Sequence, residues 1–332
     1  MSVFALGIEL DGEGSHPAGW RRAAHAPTET FTGRTLVTKV RAAENAGFTF
    51  ATFDDSIVAP KAGPRARVDA VSRASFVAAT TSTIGLVPVV ETTYAEPFHI
   101  ASQLATLDYA SRGRAGWLPT RATDPAAARA WGRTTLIDQD DLDREQRDTV
   151  AVARDLWDSW EDDAVIRDYA SGRFLDREKL HYVDFVGGSF AVKGPAIVPR
   201  PPQGQLVVFG ADADRDVVDV VLIDLAVTLD TPVISATDRL AELNRHQQPP
   251  ESPRREYVGA AAGLVDLLTE LATQVDGVRV FPTVIDEDLP ALARYVLPSL
   301  IESGVLHRPV PASSLRDTLG LTRPANRYAR VR

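Results

Sequence analysis

The sequence predicts an α/β protein folded as a (β/α)8 TIM barrel, with an insertion between the fourth and fifth strands. Short runs rich in Val, Ile, Leu and Phe alternate with stretches of helical spacing, which favours a parallel sheet over a sandwich. About eight strand candidates fit within the chain, and a barrel needs ~250 residues before insertions. The doubly wound open sheet is the alternative. Its dinucleotide-binding form has no local support, because no GxGxxG opens a helix after the first strand.

Residues 3–10 are an apolar run ending at Asp11-Gly12, the expected first strand. A polar stretch with Gly and Pro follows, and then 35–45 has helical spacing and stops at Gly47. Residues 48–53 read as the second strand, ending in Asp54-Asp55, with a helix over 68–80 behind it. The run STIGLVPVV at 82–90 is the third strand, 97–109 the next helix and 114–118 a short fourth strand. The helix at 143–158 carries Trp157 and leads past Trp160 to a hairpin over 181–193. Later strands are expected at 206–210, 217–223, 232–235 and 278–282. Two linker-like stretches, PRPPQGQ at 199–205 and QQPPESP at 247–253, separate no regions of different composition. The whole of 1–332 is therefore expected to be one domain.

Of the 332 residues, 44% are hydrophobic and 24% charged, the balance of a globular chain with a large core. No apolar run reaches the ~18 residues of a membrane span, and the N-terminus lacks a signal peptide's layout, so a cytoplasmic location is expected. Cys is absent, which excludes disulfides, thiolate metal sites and cysteine nucleophiles. The net charge of −9 argues against nucleic-acid binding, because phosphate recognition needs clustered cations. No HxH or HExxH spacing supports a metal.

Several segments share an ordered pattern. Residues 97–117 read PFHIASQLATLDYASRGRAGW, 156–195 read LWDSWEDDAVIRDYASGRFLDREKLHYVDFVGGSFAVKGP, 199–204 read PRPPQG and 315–326 read LRDTLGLTRPAN. His16-Pro17 and Gly19-Trp20-Arg21 stand in the loop after the first strand. On these segments the chain resembles the bacterial luciferase-like flavin monooxygenases, in the branch of nitrilotriacetate, EDTA and dibenzothiophene-sulfone monooxygenases. The chain is short for that branch between about residues 225 and 257.

The resemblance implies a barrel whose mouth holds reduced FMN, with O2 as co-substrate and a small organic molecule as the compound oxidised. It implies a separate flavin reductase that supplies the reduced flavin, and a homodimer. By position, Asp55, Thr92, Thr93, Trp117, Arg121, Gly210 and Ala211 are the expected cofactor contacts. Trp20 and Arg21 are expected in a substrate lid, and His16 is the candidate for acid work, since imidazole titrates near neutral pH. The residues alone allow other roles: Asp55 as a loop or capping carboxylate, Thr92 and Thr93 as turn hydroxyls, Trp117 as core.

The chain also departs from the branch pattern. Leu118, Arg121 and Ala122 stand where relatives carry Asn and Thr-Ser. The fifth strand ends in Gly210-Ala211-Asp212-Ala213 instead of Ala-Gly-x-Ser, and Asp143 replaces a phosphate-binding Tyr. Acids beside a phosphate dianion are unfavourable, although Arg121 can restore the balance by gripping phosphate while an Asp holds it. These changes leave a second reading beside the monooxygenase: a degenerate barrel with weak or no flavin binding and a binding or regulatory role.

Overall fold

The structure is a computed structural model that describes residues 3–60 and 66–329. Its barrel strands are β1 (Ala5–Glu9), β2 (Phe50–Phe53), β3 (Gly85–Glu91) and β4 (Gly116–Thr120). After two hairpins, β5 (Val165–Asp168) with β6 (Arg173–Leu175) and β7 (Val183–Val186) with β8 (Ala191–Gly194), come β9 (Val207–Gly210), β10 (Val220–Leu229), β11 (Arg255–Gly259) and β12 (Gly277–Pro282). The helices around them are α1 (Gly33–Ala46), α2 (Ala70–Ala78), α3 (Pro97–Ser111), α4 (Pro125–Trp131), α5 (Gln139–Asp158), α6 (Ala236–His246), α7 (Ala261–Leu271), α8 (Ile285–Ala291), α9 (Leu297–Glu302) and the short α10 (Leu315–Thr318).

The expected α/β barrel is present, and among the described residues its parallel ring closes through seven strands in the order β1, β2, β3, β4, β9, β10, β12 and back to β1. The eighth parallel strand, β11, stands out of that order because β9 is short and β10 is long. Val220 and Val221 of β10 pair with Phe209 and Gly210, and beyond that point the same edge of β10 has lost its neighbour. Arg255–Gly259 fills it, pairing with Leu225 to Leu229, while the other edge of β10 pairs with β12.

Two strand expectations change. Residues 232–235 form a turn, not a strand. Pro232 has no N–H to give a ladder, Thr231 Oγ1 accepts from Ile234 N, and Ser235 caps α6 by accepting from Asp238 N. The strand lies instead at β11, whose leading Arg255 and Glu256 obscure it in the sequence. The strand expected at 217–223 begins at Val220, because the N–H groups of Val217 and Val218 both turn back to the Asp214 carbonyl.

Side chains alternate across each strand. One set points outward into the layer shared with the helices, where Trp117 meets Trp157 edge to face at 6.3 Å. The other set fills the bore with Ala5, Phe50, Val87, Phe209 and Leu222. Phe50 crosses this space to reach Phe209 at 4.7 Å, and a Cβ at Gly7 would lie 2.2 Å from its ring, so only glycine fits there. Leu315 and Leu319 plug the end where the strands begin. The opposite end is therefore the open one. No helix among the described residues is long and apolar enough to cross a membrane.

Candidate active site at the barrel mouth

Carrying the inward alternation past the last apolar layer places ionisable side chains at the strand ends: Glu9 of β1, Asp54 just after β2, Asp224 of β10 and Arg279 of β12. Arg279 binds Asp224 through two parallel bonds of 2.8 and 2.6 Å and lies 3.6 Å from Glu9. Glu9 accepts hydrogen bonds from the backbone N–H groups of Asp11 and Asp54, both at 3.0 Å, and from the Thr52 hydroxyl at 2.7 Å. Burial pushes its carboxyl up to about 7, with Asp54 and Asp11 adding to the rise and Arg279 and Thr52 opposing it. Burial also raises Asp54 against the pull of Arg67. Arg67 and Arg73 clamp Asp11 at 2.8 and 2.7 Å.

Two cavities adjoin this cluster. The larger, of about 650 Å³, lies on the β1 side beneath the loop to α1. Phe31, Phe76 and Phe281 give it apolar walls, and the Glu9, Asp11 and Arg67 group forms its floor. The smaller, of about 370 Å³, lies over the ends of β4, β9 and β10. Arg254, on the segment entering β11, lines both, with its guanidinium 3.9 Å from the centroid of the Phe281 ring. It forms the partition between them.

The residues expected from the sequence divide into two groups. Arg121, Gly210 and Ala211 come together in the smaller cavity. The Arg121 guanidinium is held between Asp214 at 2.5 Å and Asp143 at 2.6 Å, so two of the substitutions that set this chain apart form one ion-pair network. Gly210 has its own packing reason, since a Cβ there would lie 2.7 Å from a Val218 methyl. His16 and Trp20 line the larger cavity, and Arg21 stacks on the Trp20 ring at 4.8 Å. Both nitrogens of His16 are engaged: Nδ1 accepts from Ala18 N, and Nε2 faces Asn244 Oδ1, each at 3.1 Å. Burial lowers its pKa, with the Asn244 bond opposing.

Asp55, Thr92, Thr93 and Trp117 line neither cavity. Asp55 accepts from the N–H of Ala70 at the start of α2 (2.7 Å) and from that of Ser56 (2.8 Å), a capping arrangement. Thr92 donates to the Thr120 carbonyl at 3.0 Å, and Thr93 accepts from Ala122 N at 3.1 Å. Trp117 is on the outward face of β4 and fully buried, with the strand itself between its indole and the mouth.

The sequence reading missed Glu9, Asp54, Asp224, Arg254, Arg255 and Arg279. For two of them a signal was present. Glu9 ends the inward face of the first apolar run, and Arg279 is a lone charge inside GVRVFP, where only an inward functional or paired position tolerates one.

The chain was compared with known proteins. Residues 14–221 match the family model described as luciferase-like monooxygenase. The chain is 35% identical to N-acetyl-S-(2-succino)cysteine monooxygenase of Bacillus subtilis over 215 residues, 64% of this chain and 48% of that protein. It is 33% identical to nitrilotriacetate monooxygenase component A of Aminobacter aminovorans over 225 residues, 63% of this chain and 50% of that one. The chain thus spans about half the length of these curated relatives. A subunit of the pristinamycin IIA synthase of Streptomyces pristinaespiralis is 34% identical over 298 residues, 89% of this chain and 91% of that protein. Among solved structures, the barrel resembles riboflavin lyase with modified FMN and riboflavin (TM-score 0.80, 20% identity, 98% of this chain and 97% of that one). It also resembles EDTA monooxygenase from Chelativorans sp. BNC1 (TM-score 0.79, 17% identity, 97% and 99%).

Proposed function

The chain belongs to the luciferase-like monooxygenase family, and from that premise we propose that it is a flavin-dependent monooxygenase. It takes reduced FMN from a separate flavin reductase and uses O2 to oxidise a small organic substrate, working as a single-domain barrel in a homodimer. The observation that carries this reading is the pair of adjoining cavities at the mouth, one walled by aromatic rings and one rich in arginine, with Arg254 between them. That combination suits a cofactor with an apolar ring at one end and a phosphate at the other.

When bound, reduced flavin supplies the electrons that let one oxygen atom enter the substrate while the other leaves as water. The protein's own part is to position and to exclude water. Arg121, Thr120 and the Gly210-Ala211 backbone would hold the polar end of the flavin, and Phe281, Phe31 and Trp20 would wall its ring. Glu9, raised to about 7, is a group at the mouth able to hold or release a proton there, beside the likewise raised Asp54. His16 fixes the loop that carries Trp20.

The test is titration of FMN against the protein, read by flavin fluorescence, followed by coupled turnover with a flavin reductase, NADH and O2. A dissociation constant of order micromolar and substrate oxidation beyond the uncoupled background are expected. Unperturbed fluorescence up to roughly 300 µM protein would overturn the reading.

One observation favours a second reading. The relative matched over nearly its whole length is named a subunit of a synthase, and the mouth of this chain gathers Glu9, Asp11, Asp54 and Asp224. A companion barrel with weak or no flavin binding would give no FMN quenching and would bind a second polypeptide.

A further inference from the structure

We infer that the compound oxidised is uncharged and largely apolar, and that it lies in the outer part of the larger cavity, against Phe76. This deepens the flavin reading and rests on it, because the wall at Phe281 is left to the flavin ring. The volume of about 650 Å³ is that of a small-molecule site. Leu36 of α1, Phe76 of α2, and Pro60 and Val68 of the segment joining β2 to α2 line the cavity away from the strand ends. Ser72 and Phe76, four residues apart, present one stripe of α2 to it. The Phe76 ring lies over the first residue of α1, where a Cβ on Gly33 would come within 2.4 Å of it. Phe31 and Phe76 remain 54% and 55% exposed, and both line this one chamber. Apolar surface gathered in a single concavity marks a ligand site, which scattered exposed rings do not.

The charged groups of the chamber are already matched to one another. Among the described residues, four carboxylates (Glu9, Asp11, Glu13 and Asp54) and four cations (Lys39, Arg67, Arg73 and Arg254) line it. Asp11 lies between Arg67 and Arg73 at 2.8 and 2.7 Å, and Glu13 takes Lys39 at 2.6 Å. Glu9 has Arg279 at 3.6 Å, and Asp54 has Arg67 at 3.5 Å together with the field of Arg254. A substrate carboxylate would therefore meet no uncommitted cation among these residues. It would also stand beside Glu9 and Asp54, which burial already makes hard to ionise. An ammonium group would have to compete with the arginines and Lys39 for the same carboxylates. An uncharged molecule incurs neither penalty, and its apolar surface gains by leaving water.

The experiment uses probes built on one aromatic framework. N-phenylnaphthylamine, uncharged and fluorescent in apolar surroundings, is titrated by fluorescence without flavin, and by calorimetry with saturating FMN. It is then displaced by naphthylmethanol, naphthoate and naphthylmethylamine, which are neutral, anionic and cationic at neutral pH. The fluorophore should bind under both conditions, and the alcohol should displace it at least about tenfold more effectively than the acid or the amine. Phe76→Ala, a change at an exposed position, should weaken the fluorophore and the alcohol about tenfold. Asp11→Asn releases Arg67 and Arg73 and should bring naphthoate within about threefold of the alcohol. Acid or amine equal to the alcohol in the unaltered protein, unchanged affinities in Phe76→Ala, or naphthoate still excluded in Asp11→Asn overturns the inference. Binding of FMN without the fluorophore overturns the substrate class alone. If FMN does not bind, the flavin reading falls, and the alcohol preference with its loss in Phe76→Ala still decides the charge class of the ligand. Thermal melts establish that each variant is folded.

Discussion

Glu9→Gln offers a quantitative check on the electrostatics of the mouth. The folded protein holds the Glu9 carboxyl at about 7 against an ordinary value of 4.5, with burial as the leading cause. A carboxyl raised on folding binds its proton more tightly in the native state. The stability it allows is thus fully present below pH 4.5 and is lost as pH climbs through 7. Integrating the two titrations gives a loss of about 3 kcal/mol at pH 8 and under about 1 kcal/mol at pH 5, at about 1.36 kcal/mol for each tenfold change in proton affinity. Glutamine keeps an oxygen for the N–H groups of Asp11 and Asp54 and removes the charge. For a chain of this length the entropy of unfolding converts about 3 kcal/mol into about 4 °C. Calorimetric melting at the two pH values should therefore show the variant about 4 °C more stable than its parent at pH 8 and within about 1 °C at pH 5. A gain of equal size at both, or a loss at pH 8, would refute the assignment of a raised carboxyl to this position.

The other expectations concern residues whose placement decides their role. Trp117→Phe should lower stability by about 1–3 kcal/mol in denaturant titrations, through lost packing against Trp157, and leave FMN affinity unchanged; a weakened affinity would put the indole in the site after all. Asp55→Ala should cost about 1 kcal/mol by leaving the N–H groups of Ala70 and Ser56 without their acceptor, again with no change in flavin binding. Arg121→Ala leaves Asp143 and Asp214 unopposed beside the smaller cavity, so FMN affinity should fall about tenfold, and adding Asp214→Asn should recover part of it. Unchanged FMN affinity in Arg121→Ala would remove this residue from the anion site.

The motifs that made the fold legible build the closed end of the barrel and the anchor of the hairpin excursion. Asp108, from the ATLD segment near the end of α3, is buried where it accepts from Gln203 and from Ala115 N just before β4, and burial pushes its carboxyl up to about 6. Gln203 belongs to PRPPQG, and its Oε1 in turn accepts from Arg316 N of the terminal LRDTLGLTRPAN. Arg200 of the same proline stretch binds Asp158 and Asp162, while Asn326 donates to the carbonyls of Asp158 and Trp160. Pieces separated by more than a hundred residues thus meet in one hydrogen-bonded floor. Such buried polar networks tolerate little variation because an unmade bond there is expensive.

The mouth follows a different logic, which is why the sequence showed so little of it. Its charges are single residues at the ends of strands, each meaningful only once the inward parity of its strand is known. A shift of one residue separates Asp54, which faces the cavity, from Asp55, which caps α2. The same shift separates Leu118, which lines the smaller cavity, from Trp117, which faces the helices. Arg254 and Arg255 were hidden for a further reason. They become mouth residues only because β9 is four residues long and β11 takes the vacated edge of β10, an arrangement set by strand lengths and not by any local pattern. Extending β9 by four paired residues, from Gly210 to a partner for Leu225, should therefore displace β11, read as loss of exchange protection in the amides of residues 255–259. Protection of those amides that persisted in such a variant would show that β11 holds its place without the vacated edge of β10.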